Sequence, residues 1–312
     1  MPYRKDIPHG IMFHHFHGDK HLPSQGSISS DGFKKILEYI GIERFLSPDE
    51  WLEKLFKKAL KNEDLCLTFD DGLLSQIEVA LPVLEHYGLR GFWFAYSGVF
   101  EGGIENLEIY RLFRTKYFSN INEFYGLFFK KAAEAGAPAE AEGKIISEQQ
   151  KLYPFYSVND IKFRILRDKI LGPQKYEKLM DSLLADYRVS KEDLAKGLWM
   201  ADNDLKYLSG SGHNIGLHSY SHPTTLAGLS FENQLGEYQK NYFHLEKVCG
   251  KKPVAVSHPC NSYNEDTMEV LGRLGIQCGF RANMFPCQEG GRLNASNLEI
   301  AREDHANLMR ML

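Results

Sequence analysis

Leu65-Cys66-Leu67-Thr68-Phe69-Asp70-Asp71-Gly72 is the stretch on which the reading of the fold turns. A mostly apolar run of strand length leads straight into two adjacent carboxylates and a glycine. A buried strand that ends in paired acids delivers them to the mouth of a fold, where barrels and open α/β sheets keep their chemistry. Alone, the segment reads equally as a strand closed by an acidic turn, because Asp-Gly is an ordinary turn dipeptide. The segments around it decide.

Upstream, Gly10 to His17 reads as a first strand running into histidines, and strict alternation from Phe13 would put His14 and His15 on opposite faces. Ser30-Asp31 can cap a helix through Tyr39 whose buried stripe is Phe33, Ile36, Leu37 and Ile40, with Gly41 placed to stop it. Ser47-Pro48-Asp49-Glu50 opens a second helix with Trp51, Leu52, Leu55 and Leu60 on its apolar side. Strand, helices, strand is the order of a parallel pair joined by a crossover. Downstream, a helix is expected over Gln76 to Tyr87, ended by Gly88. An aromatic strand follows over Gly91 to Tyr96, with Phe92-Trp93-Phe94 as core and Tyr96 at the rim.

The repeat then breaks. Residues 101–210 are polar and helical, with segments at Tyr110–Phe118, Asn122–Ala135, Asp160–Ile170 and Tyr176–Tyr187, and a connector over Ala132–Gly143. This block reads as a helical insertion, either a cap over the site or ordinary outer helices. Strands resume at His213–His218, Pro253–His258, Gly275–Arg281 and Leu298–Ala301, separated by helices over Ser230–Val248 and Glu265–Leu274. About seven strand candidates, mostly separated by helices, mean an α/β fold, a βα barrel or a doubly wound sheet. Residues 1–100 and 211–312 would form it, with 101–210 as the insertion.

Composition bounds the function. A chain of 312 residues, 43% hydrophobic and 25% charged, is an ordinary globular protein. Its net charge of −4 carries no basic footprint for nucleic acid. No apolar run reaches the roughly 20 residues of a membrane span, and Met1 to Asp6 lacks a signal-peptide core. The five cysteines, Cys66, Cys249, Cys260, Cys278 and Cys287, are scattered and odd in number. That pattern fits free thiols in a reducing, cytoplasmic setting, with Cys66 a small core residue.

The second chemical element is His218-Ser219-Tyr220-Ser221-His222. Two histidines at i and i+4 share a face if the segment makes a helical turn, so both imidazoles can reach one ion. With a carboxylate they make the N/O set of zinc or a similar divalent cation, with a position left for water.

At this point the chain resembles the polysaccharide deacetylases of the NodB-homology type, carbohydrate esterase family 4. The resemblance rests on Thr68-Phe69-Asp70-Asp71-Gly72 and His218-Ser219-x-x-His222, and more weakly on Ile11–His14, Ser257–Tyr263 and Ile300-Ala301-Arg302. It covers residues 8–100 and 210–305. It implies a distorted seven-stranded (β/α) barrel and metal-dependent hydrolysis of an N-acetyl or other acyl group on an amino sugar. Carried over, Asp71, His218 and His222 would hold one divalent ion, zinc by preference. Asp70 would be the general base, the Cys260 backbone N–H an oxyanion donor, and His305 or His14 the general acid. The family's third motif carries an arginine and a tyrosine where this chain has Ser257 and Cys260, so Arg302 is the candidate for the missing charge. The substrate expected is a nucleotide-linked, lipid-linked or oligosaccharide amino sugar, a cytoplasmic intermediate of surface-glycan assembly. The alternatives are a C–N hydrolase of a cyclic amide or ureide, a non-catalytic sugar-binding barrel, and a helical interaction protein with no metal.

Overall fold

The computed structural model describes residues 7–137, 146–147, 149–150, 156–286 and 292–312. Two compact units emerge, Met1–Glu105 with Gly197–Leu312, and Asn106–Lys196.

The first unit is built on seven strands: β1 (His9–Phe13), β2 (Leu65–Asp70), β3 (Gly91–Ala95), β4 (Asn214–Leu217), β5 (Ala255–Ser257), β6 (Cys278–Phe280) and β7 (Arg302–Asp304). They lie in the order β6-β5-β4-β3-β2-β1-β7, and every ladder is parallel. Between the end strands a single parallel bridge, Phe280 to Ile300, leaves the barrel nearly closed. This is the distorted (β/α)7 barrel that the family resemblance implies.

The helices around it start and stop on local chemistry. In α1 (Ser30–Ile40) the cap is Ser29, one residue before the expected pair, its side chain accepting the Gly32 N–H, and Gly41 closes it. Ser47 and Glu50 form a reciprocal capping box on α2 (Pro48–Phe56), with Pro48 in the first turn. The helix expected over Gln76–Tyr87 is divided: a π-turn over Gln76–Ala80 leads into α3 (Leu81–Tyr87). Pro82 has no N–H to return to the turn before it, which loosens the ladder there. The unit continues with α4 (Asp202–Gly210), α5 (Phe231–Cys249), α6 (Glu265–Arg273) and α7 (His305–Met309).

At the first and last strands the bounds differ from expectation in a way that bears on the site. β1 stops at Phe13, so His14 and His15 lie beyond it with nearly parallel rings 6.0 Å apart instead of on opposite faces. The last strand is Arg302–Asp304 and not Leu298–Ala301, because Gly10 to Met12 of β1 pair with Arg302 to Asp304.

Alternation along the strands sorts the barrel's two faces. Leu65, Leu67, Phe69 and Trp93 belong with the helix residues Phe33, Ile36, Leu84 and Leu245 in the larger core. Phe69 and Trp93 are cross-strand partners with rings stacked at 4.3 Å. Cys66, Phe92, Phe94, Ala255, Cys278 and Phe280 form a second core with Trp51 of α2. The polar residues one step further along the same face, Thr68, Asp70 and Ser257, are carried towards the C-terminal mouth.

The second unit is helical: Asn106–Tyr117, Ile121–Glu134, Val158–Ile165, Gly172–Asp186 and Lys191–Ala195. Its core is aromatic, with Tyr110, Phe113, Phe124, Tyr125, Phe128 and Tyr176 buried. The expected connector over Ala132–Gly143 is helical up to Glu134, and its part from residue 138 lies outside the described residues, as does Cys287.

Candidate active site

At the C-terminal end of β2 the Asp70 carboxylate is buried and bound at both oxygens. Arg302 Nη1 donates to Oδ1 and Nη2 to Oδ2, each at 2.7 Å. Ser257 Oγ donates to the same Oδ2 at 2.9 Å and accepts from Arg302 Nη2 at 2.8 Å. The guanidinium is itself oriented by Nε donating to the Arg281 carbonyl at 2.6 Å. Such a fork matches a carboxylate in both charge and plane. Space for it comes from Gly10 on β1, where a Cβ would lie 3.0 Å from Arg302 Cγ. Thus Ser257 stands at the position where the family's arginine was expected, and Arg302 of β7 supplies the guanidinium. Burial, the largest influence on Asp70, pushes its pKa up, but Arg302, with His218 and His14, pulls it down to about 2. Asp70 is ionised at neutral pH.

Asp71 begins the turn after β2 at φ 78°, unusual for a residue with a Cβ. There it turns away from Asp70's partners towards two imidazoles: Oδ1 is 3.3 Å from His218 Nε2 and 3.6 Å from His222 Nε2. The histidines reach it from a bend and not from a helical turn, since Ser219 and His222 take φ of 64° and 57°. His218 Nδ1 lies 2.8 Å from the Ser257 carbonyl, to which it donates. In its unprotonated form the ring would then present the Nε2 lone pair towards Asp71. Asp71 Oδ1 is buried and accepts no hydrogen bond among the described residues. Two acceptors facing one another at 3.3 Å are what a shared cation relieves. One ligand atom from each of Asp71, His218 and His222 lies within 4.8 Å of the others, so the set fits a divalent ion. Burial raises the Asp71 pKa; with the imidazoles protonated, a hydrogen bond from His218 and then the charges of His14, His222 and His218 hold it far below the carboxylate range.

Four other residues were singled out by sequence. His14 stands at the mouth, Nε2 3.7 Å from Asp70 Oδ2 and 4.0 Å from Asp71 Oδ2, with 27% of its side chain exposed. His305 is elsewhere: its ring stacks on Phe13 at 5.4 Å and its nitrogens face the carbonyls of Met12 and Gly26. Packed against main chain, it does not present a proton donor to the mouth. Cys260 is exposed on the turn after β5, at φ 50°. Tyr96 directly follows β3 at the same mouth, but it is not solvent-exposed. It is 1% exposed, stacks on His222 at 5.0 Å and accepts the Trp199 indole N–H at 2.6 Å.

Residues that the sequence did not mark complete the site. Gln76, fully buried, donates through Nε2 to the carbonyls of His14 and Asp70, tying two mouth loops together. Glu105 is 7% exposed, with Oε1 3.7 Å from His222 Nδ1. A polar residue in a π-turn and an isolated glutamate carry no spacing signal.

The family profile described as polysaccharide deacetylase matches residues 172–279, a span that contains both histidines. Over that span the chain is similar to this family. Solved structures of similar fold include the Streptococcus pyogenes deacetylase PplD in complex with acetate, at 17% identity and a TM-score of 0.56 over 97% of this chain and 93% of that one. IcaB from Ammonifex degensii aligns at 16% identity and a TM-score of 0.55, covering 97% and 93%. The BpsB deacetylase domain from Bordetella bronchiseptica aligns at 13% and 0.53, covering 95% and 94%. Identities this low speak for the fold alone. No curated protein matches the chain. No described helix is long and apolar enough to cross a membrane.

Proposed function

We propose that the protein is a metal-dependent amide hydrolase that removes an N-acetyl or other acyl group from an amino sugar. One observation carries this reading: a three-residue N/O ligand set and an ionised, arginine-held carboxylate share one mouth of the barrel, in adjacent positions of one strand end. Asp71, His218 and His222 would hold a divalent ion, zinc by its donor types, and that ion would supply Lewis acidity to water and to the amide carbonyl.

The chain's own residues supply the rest. Asp70 takes the proton of the attacking water, held in one orientation by the Arg302 fork and Ser257. His14, the solvent-edge imidazole beside both carboxylates, is the donor to the leaving amine. Cys260 lies just beyond β5 at the same mouth, and its backbone N–H is the candidate donor to the developing oxyanion.

The test pairs elemental analysis with an acetate-release assay over free, nucleotide-linked, lipid-linked and oligosaccharide amino sugars, with a cyclic ureide as comparison. About one divalent ion per chain is expected, lost in Asp71→Ala and His218→Ala. Asp70→Asn should keep the ion and lose turnover. A bound ion with no hydrolysis of any amide would point to a sugar-binding barrel. Absence of any ion, even after incubation with zinc or cobalt, would sink the mechanism.

A further inference from the structure

The bend that carries His218 and His222 is held by a neighbouring helix. Two residues one turn apart on α5, Glu237 and Asn241, reach it. Asn241 is fully buried, its Oδ1 accepting the His218 N–H at 2.9 Å and its Nδ2 donating to the Ala95 carbonyl at 2.9 Å. Those partners fix which end of the amide is which. Glu237 Oε2 accepts the N–H groups of Tyr220 at 3.1 Å and Ser221 at 2.8 Å, and its Oε1 accepts the Ser221 hydroxyl at 2.8 Å. The His222 amide donates to Ser219 Oγ at 3.1 Å. From the other side the Gly98 N–H donates to the Tyr220 carbonyl at 2.8 Å.

The bend needs such support. Ser219 and His222 both sit in the left-handed region that residues with a Cβ rarely adopt, and a chain released from its partners would leave it. Relaxation of either residue would redirect an imidazole, because the ring nitrogens are aimed by the backbone beneath them.

We propose that Glu237 and Asn241 are positioning residues of the ion site: by satisfying the bend's amides they hold His218 and His222 converged on Asp71 and so set the affinity for a divalent cation. This rests on the reading of Asp71, His218 and His222 as ligands. Neither residue touches the ion or a substrate, so their effect runs through the loop. Partners beyond the ligands commonly tune metal affinity by about 10- to 100-fold.

Glu237 is the better residue to change, because it is only half-buried whereas Asn241→Ala would strand two buried main-chain groups. Two readouts are needed on the intact protein: Co2+ affinity by absorbance titration, and hydrogen exchange over residues 218–222. Glu237→Ala is expected to weaken Co2+ binding by about 10- to 100-fold and to speed exchange of the Tyr220 and Ser221 amides. Glu237→Gln, which keeps an oxygen for both amides, should restore both to near the parent. Glu232→Ala, an exposed carboxylate on the same helix, should change neither. Unchanged affinity in Glu237→Ala overturns the proposal, whether or not exchange rises. Equal losses in Glu237→Gln and Glu237→Ala overturn it too, since charge alone would then be at work. A parent protein that binds no Co2+, or binds it equally after Asp71→Ala, refutes the ligand reading itself and the positioning role with it.

Discussion

Replacing Arg302 by methionine should damage both stability and turnover, by amounts that follow from its surroundings. The guanidinium is fully buried and its partner Asp70 nearly so. Four residues accept from it: Asp70, Ser257, Thr68 and Arg281. Removing one member of such a buried pair leaves the other charge without compensation, at a cost of about 3–5 kcal/mol. Asp70→Asn should cost a similar amount, because the guanidinium then lacks its anion. In Asp70→Asn/Arg302→Met no uncompensated charge remains, so the double variant should be more stable than the sum of the singles implies, by at least about 2 kcal/mol. Urea unfolding at neutral pH with a chelator present measures all three. Arg302→Met should also lose about 10²- to 10⁴-fold in turnover, the range of a displaced general base. Additivity of the two single variants, or a loss below about 1 kcal/mol for Arg302→Met, would refute the view that this pair is an electrostatic unit.

Two further outcomes are expected. His213 is buried with Nδ1 accepting from the Gly91 N–H at 3.1 Å and the Trp93 indole N–H at 3.0 Å, and burial, aided by the Arg90 charge, pushes its pKa from 6.5 down to about 4. The unfolded chain takes up this proton first, so stability is whole above pH 6.5 and falls by about 3 kcal/mol on going down to pH 4. His213→Asn keeps an acceptor near Nδ1 and cannot titrate; the gap in stability between parent and variant should therefore change across that window, and a constant gap would contradict the assignment. At Gly98 a Cβ would lie 2.8 Å from the Tyr220 carbonyl oxygen, a main-chain atom that cannot step aside cheaply. Gly98→Ala should cost about 1–3 kcal/mol and weaken Co2+ binding, seen by thermal unfolding and titration; a variant matching the parent in both would show that the bend tolerates displacement.

Sequence alone determined the barrel's repeat and the identity of the chemical groups. The run from Leu65 to Asp70 forms the strand that its pattern describes, and the caps near Ser30 and at Ser47 and the stop at Gly88 are local signals that the fold respects. These are written in neighbouring residues, because hydrophobic period, capping and glycine conformation act over one or two turns. What only the tertiary structure decided is which distant groups meet. Arg302 reaches Asp70 because β7 pairs with β1, starting at the residue itself, and because Gly10 leaves room. His305, only three residues further on, turns into a helix and packs on Phe13 instead. The histidine pair converges through a bend held by Glu237 and Asn241, which no spacing rule contains. A helical period can place two side chains on one face, but the strained backbone that aims these two exists only where another element supplies its hydrogen bonds.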